Sequence, residues 1–235
     1  MSAVETFVVR LWLPDRPGAL GAVASRIGAV RGDVVGIHIL ETGGGRAVDE
    51  LVVRLPRQQL VELLVSEIEQ VDGVQVELVR PAGPTELDPG VDGLEIAAVL
   101  VGAAEPEELL IALCAHGGRA LGAEWTAVVD GRSGQVRRAS GQSPEGPWLA
   151  AFVIGSMASA ASGGEASGTD PGGPDDVAWA PMPAAGLALV VGRGGTAFRA
   201  RERRSLAAMA RIADTRLREL GPLRSRLAHP STGRL

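Results

Sequence analysis

The sequence predicts an α+β protein of two units, and three observations predict it. Apolar residues follow the order strand, helix, strand, strand, helix, strand over the first eighty positions. A stretch rich in Pro, Gly and acids then breaks every apolar period. A second set of helices and short strands follows it. At 235 residues, two domains are the expected default, each long enough to bury a core.

Phe7, Val9, Leu11 and Leu13 alternate with Val8, Arg10 and Trp12, the period of a strand with one buried face. The run Asp15-Arg16-Pro17-Gly18-Ala19-Leu20 follows. Pro17 has a fixed φ and no N–H, which suits a first helical turn, and Gly18 lets another group approach the backbone. The N–H groups of residues 18 to 20 then point into the gap between strand and helix, where an anion such as an amino-acid carboxylate is the natural occupant. Leu20, Val23, Ala24 and Ile27 recur at helical spacing, and Gly32-Asp33 closes the helix. Val35, Ile37 and Ile39 alternate, Thr42-Gly43-Gly44-Gly45 reads as a hairpin loop, and Leu51, Val53 and Leu55 form its second strand, ended by Pro56. Leu60, Leu63, Leu64, Ile68 and Val71 give a second helix. Asp72-Gly73 turns the chain into a fourth strand of Val74, Val76 and Leu78. This order is a ferredoxin-like βαββαβ unit over residues 1–80.

Residues 81–93 read as a linker. In the second unit, 94–221, Leu94 to Val101 suits a strand or a linking helix, and Glu107 to Leu121 a helix burying Leu110, Leu113, Cys114 and Leu121. Trp125 to Val129 and Gln135 to Ala139 read as a hairpin around Asp130-Gly131-Arg132-Ser133-Gly134. Trp148 to Ala161 follows as a helix, then strands at Val177 to Ala180 and Leu187 to Val191. A final helix shares Leu206, Met209, Ala210, Ala213 and Leu217 on one face. The Gly, Ser, Ala and acids of 155–176 predict a mobile loop, and 222–235 a tail.

On the Asp15 to Leu20 turn, the Gly32-Asp33-Val34 entry to the second strand and the element order, the first unit resembles an ACT domain, a regulatory module that commonly binds amino acids. The resemblance implies a ligand between the turn and the start of the second strand, often where two domains pair. By position it implicates Asp15, Arg16, Pro17, Gly18, Ala19, Leu20, Gly32 and Asp33. Asp33 stands where that family often has Asn; an Asp accepts from an ammonium and repels a carboxylate. Leu189 to Arg193 and then Phe198 to Leu206 resemble the late strand, Phe-led turn and helix of a GAF domain, an α/β sandwich with an antiparallel sheet that senses small molecules or serves as a dimerising scaffold.

Composition excludes several chemistries. All 23 basic residues are Arg, so Schiff-base and P-loop lysine mechanisms are closed to the chain. Cys114 is alone, which excludes an internal disulfide and points to a reducing cytoplasm. His38, His116 and His229 lie far apart, and no Gly-x-Ser-x-Gly elbow, His-Glu-x-x-His site or metal-ligand spacing occurs. Gly192 to Ala197 matches Gly-x-Gly-x-x-Ala but lacks the second mononucleotide half and the acid about 20 residues on that a dinucleotide site uses. His116 near Cys114 and Glu124 invites a catalytic reading, with no third group spaced to support it. No apolar run approaches the ~18 residues of a membrane span.

Charge is uneven: residues 1–80 carry −3, 81–192 carry −10 and 193–235 carry +8. A basic final helix lies across an acidic body or meets an acidic partner; without a helix-turn-helix or interleaved aromatics, nucleic acid is not the expected partner. The expectation is a cytoplasmic, non-catalytic regulatory protein, without cofactor or metal. It binds an amino acid or similar small ligand at the interface of a homodimer and signals to its second domain or to a protein partner. The alternatives are a ligand-free dimerising scaffold and a binder of nucleic acid or an acidic partner through the basic helix.

Overall fold

The alternating segments pair as their periods require. In the computed structural model, which describes residues 5–83, 89–161 and 174–221, the first unit runs β1 (Glu5–Pro14), α1 (Ala19–Ala29), β2 (Asp33–Gly43), β3 (Arg46–Leu55), a short 3-10 turn (Gln58–Leu60), α2 (Val61–Ile68) and β4 (Gln75–Pro81). The sheet order is β2-β3-β1-β4 with every neighbouring pair antiparallel, which is the ferredoxin-like arrangement. Gly44 and Gly45, at φ 59° and 76°, make the two-residue β2–β3 turn, a conformation with positive φ at both central positions. Leu11, Ile27, Leu51, Leu55, Leu64 and Ile68 are fully buried between the sheet and its two helices. Each such side chain contributes roughly 1.5–3 kcal/mol through removal from water.

Two features depart from the simple period. Val8 and Arg10, read from alternation as the outward face of β1, are 1% and 2% exposed, because the second unit covers that face. In β4, a register shift opposite Arg10 and Leu11 leaves Glu77 extra, so Val76 and Val79 pack toward the helices while Leu78 turns to the other face. Leu63 is also exposed, since an eight-residue α2 buries only Leu64 and Ile68.

The second unit comprises α3 (Pro89–Gly102), α4 (Pro106–Ala120), β5 (Trp125–Asp130), β6 (Val136–Gly141), α5 (Gly146–Ala161), β7 (Val177–Met182), β8 (Leu187–Gly192) and α6 (Ala200–Leu220). Its antiparallel sheet has the order β6-β5-β8-β7. Every residue of β8 is buried: Leu189 and Val191 face α3, α4 and α6, while Ala188 and Val190 face α5. The described residues are therefore mixed α+β with two four-stranded antiparallel sheets. Helix α3 starts at Pro89, inside the stretch read as a linker, and resolves Leu94 to Val101 as helix. Helix α5 extends to Ala161, so 155–161 belong to it; 162–173, the centre of the expected loop, and the 222–235 tail lie outside the described residues.

Candidate functional site

Gly18 caps α1 with φ 87°, a left-handed conformation that L side chains adopt at a cost, and its carbonyl accepts from Ala22 N at 2.9 Å. Asp15 N donates to Gly45 O at 2.9 Å, which ties the β1–α1 turn to the β2–β3 hairpin. Asp15, Arg16, Pro17 and Gly18 are exposed, Leu20 is half-buried and Ala19 is buried. These six residues form one cluster.

Gly32 and Asp33 do not join it. Pro14 and Gly43 both stand opposite Arg46, whereas Asp33 stands opposite Arg54, at the far end of β3. Eight strand steps of about 3.3 Å separate the two ends by roughly 26 Å. Gly32 also has a packing reason to be glycine: a Cβ there would lie 2.7 Å from Ile27 Cγ2. Asp33 faces Arg54 at 3.9 Å, an exposed pair worth little in water.

A residue that sequence reasoning missed lies beside the turn. Asp49 on β3 pairs with Leu11, is 3% exposed, and its Oδ1 is buried without a hydrogen-bond partner. Burial, and then the charge of Asp15, push its carboxyl above the usual carboxylate range. The signal was present: Ala47, Asp49, Leu51, Val53 and Leu55 share one strand face, and an acid interrupts it. Strand β2 is an edge strand, and Ile37 and Ile39 on it, opposite Leu51 and Asp49, are 47% and 54% exposed. An edge strand with exposed large aliphatics is a template for pairing.

The two units meet through a buried ionic network. Arg10 donates to Glu50 Oε1 at 2.8 Å, to Glu202 Oε1 at 2.9 Å and to Ala197 O at 3.3 Å. Arg193 donates to both oxygens of Glu202, at 2.7 and 2.9 Å, and to Leu121 O, Thr196 O and Ala197 O, with its guanidinium 4.0 Å from the Phe198 ring centroid. Glu202 also accepts from Arg199 N at 2.7 Å, capping α6. Burial alone would raise the Glu202 carboxyl, but the hydrogen bonds of Arg193 and the charge of Arg10 hold it below its ordinary value. Burial likewise opposes the Arg10 charge, and Glu202 and Glu50 outweigh it. Beside this network Trp12 lies between Arg46 and Arg199, at 5.2 and 4.6 Å, and Arg199 pairs with Glu77.

Four arginines of the basic C-terminal segment, Arg193, Arg199, Arg203 and Arg216, are engaged within the protein, while Arg201, Arg204, Arg211 and Arg218 are exposed. Arg203 donates to Phe198 O and Val177 O, and Arg216 to Ala103 O. The Gly192 to Ala197 run follows an antiparallel strand and positions Arg193, which leaves no parallel crossover of the dinucleotide type. Cys114 is buried in the α4 core with its thiol pushed up by burial, while His116 and Glu124 line a separate cavity between the units. Among the described residues, no group of three His, Cys, Asp or Glu side chains could hold a metal ion, and no helix is long and apolar enough to cross a membrane.

No protein-family model and no curated protein matches the sequence. Solved structures that align include the ACT domain of the GTP pyrophosphokinase from Chlorobium tepidum, at 16% identity and TM-score 0.28, covering 35% of this chain and 90% of that one. An unknown protein from Galdieria sulphuraria aligns at 16% identity and TM-score 0.32 over 91% of this chain and 94% of its own. A formyltetrahydrofolate deformylase from Pseudomonas putida aligns at 16% identity and TM-score 0.26 over 42% and 39%. The ferredoxin-like description of the first unit rests on its own strand order, not on these likenesses.

Proposed function

We propose that the protein is a non-catalytic regulator that binds an amino acid where two copies pair along β2. The observation that carries this reading is the edge itself: Ile37 and Ile39 are exposed on the edge strand β2, which pairs with β3 on one side only, with the Asp15 turn at one end and Asp33 at the other. Antiparallel pairing of two such edges sets the Asp33 end of one copy beside the Gly43 end of the other. The two groups of residues, about 26 Å apart in one chain, are then united across the interface. Asp49 and Asp15 receive the ammonium, which gives the buried, unpartnered Oδ1 a donor. The N–H groups of Gly18 and Leu20, at the positive end of α1, receive the carboxylate, while that of Ala19 donates to Arg16 O. The partner's Asp33 closes the site from the ammonium side.

The signal leaves the first unit through β1. Strand β1 carries Arg10 into the ionic network with Glu202 at the start of α6, so a change in how the sheet is held is felt by the second unit, whose sequence resembles a GAF domain. The ligand acts only through its differential affinity for the two arrangements. The test is Ile39→Glu, measured by light-scattering mass and by titration calorimetry. Wild type is expected to be a dimer that binds an amino acid, and the variant a folded monomer that does not. A variant that remains dimeric, or a wild-type monomer that binds, overturns the reading.

A further inference from the structure

We infer that the cavity between the two units is a second small-molecule site, for an apolar compound bearing a hydrogen-bond-donating head, such as an amine or alcohol, and not for an anion. The cavity measures about 570 Å³, within the range that encloses drug-sized ligands. Its floor is the second face of the ferredoxin-like sheet, where Val8, Leu40, Val52 and Leu78 present an apolar surface; its roof includes Ile96 of α3 and Ile212 of α6. Val8, Leu40 and Val52 are buried on this face, away from the helices that complete the unit's own core. These three are already dry, so the apolar surface open to a ligand is that of the half-buried Leu78, Ile96 and Ile212 and the exposed Val99, from which an apolar body displaces water.

The polar content of the walls selects the head group. Arg10, Glu50, Arg193 and Glu202 line the cavity but neutralise one another, and Arg80 is also engaged, so these deep charges are already spent within the protein. The half-buried Asp92 of α3 lines the cavity and has its Oδ2 buried with no hydrogen-bond partner. A buried acceptor without a donor costs free energy that a ligand N–H or O–H recovers. An anionic head would set a second acceptor against Asp92 and find the inner guanidiniums occupied. The exposed Arg119 and Arg201 are equalled in number by the exposed Glu95 and Glu124, so together they add no net charge.

The experiment is a fluorescence titration of the full chain with N-phenylnaphthylamine, an uncharged arylamine whose emission rises in apolar surroundings, and with its sulfonate derivative, anilinonaphthalene sulfonate. The expected result is one arylamine per chain, bound about tenfold more tightly than the sulfonate, and weakened about tenfold by Ala208→Trp, which fills the cavity from α6. Ala97→Phe fills it from α3 and serves if Ala208→Trp does not fold. Asp92→Leu is expected to weaken the arylamine about fivefold through loss of the acceptor. Absence of saturable binding to wild type, or binding that survives the cavity-filling variants while they keep the wild-type melting transition, overturns the site. Equal affinity for the sulfonate, or no change in Asp92→Leu, overturns the ligand class. Amino-acid binding at the turn is expected to be unchanged in Ala208→Trp, so the two sites are separable.

Discussion

Replacing Glu202 tests how the two units are joined. Glu202 accepts from Arg10, twice from Arg193 and once from Arg199 N, all at 2.7 to 2.9 Å, and is 9% exposed. Summing four charge-assisted bonds would overstate the cost, because Arg10 keeps Glu50 and Ala197 O, and Arg193 keeps three carbonyls. Leaving two buried guanidiniums short of one counter-charge is expected to cost about 3–4 kcal/mol in Glu202→Ala. Glu202→Gln, which keeps the shape, is expected to cost about 2 kcal/mol. The assay is urea unfolding followed by circular dichroism at a series of pH values. The folded carboxyl lies below its ordinary value of 4.5, so its contribution is complete above 4.5 and disappears as pH falls through the lower folded value. The gap between wild type and Glu202→Gln should therefore close in acid. A loss under about 1 kcal/mol at neutral pH, or a gap that persists in acid, refutes the reasoning.

Asp49→Val should stabilise the ligand-free protein by about 1–2 kcal/mol at neutral pH, because it removes a buried carboxylate whose Oδ1 has no partner, and should abolish the proposed amino-acid binding. The Asp49 carboxyl is raised above 3.8, so the penalty on wild type is absent below that value and grows as pH rises through the folded one; urea melts at acid and neutral pH check the sign. Asp130→Ala should cost about 1 kcal/mol in the same melts, since Asp130 Oδ1 accepts from Arg132 N and Ser133 N and Oδ2 from Arg137. Hydrogen bonds from Ser133 first, and then Arg137, hold its carboxyl well below 3.8, so this contribution is lost only in strong acid.

Strands and helices were legible where one face is buried. Phe7 to Leu13, Val23 to Ile27 and Leu206 to Leu217 show clean periods, and the structure places each on a core face. The second face of β1 was not legible: Arg10 amid Val8 and Trp12 has the pattern of a solvated face, and its partner Glu202 lies 192 positions away. Period two also fails at a bulge, which sets Leu78 on the opposite face of β4 from Val76. The turn residues could be named from Pro17 and Gly18, whereas the separation of Asp33 from Asp15 follows from the pairing of both strands with β3, a property of register rather than of local sequence. Asp49 stands in plain alternation on an apolar face, where a charge on a strand ordinarily signals exposure.

The proposed regulation is tested most directly by the melting temperature of the wild-type protein in each of the twenty amino acids. At 100 times its dissociation constant, a ligand of the native state adds about 2.7 kcal/mol, which for a chain of this size is a rise of roughly 5–10 °C. One amino acid, or a chemically related few, should produce that rise, and Asp49→Val should remove it. A melting temperature unmoved by all twenty contradicts the proposal that the paired turn is an amino-acid site.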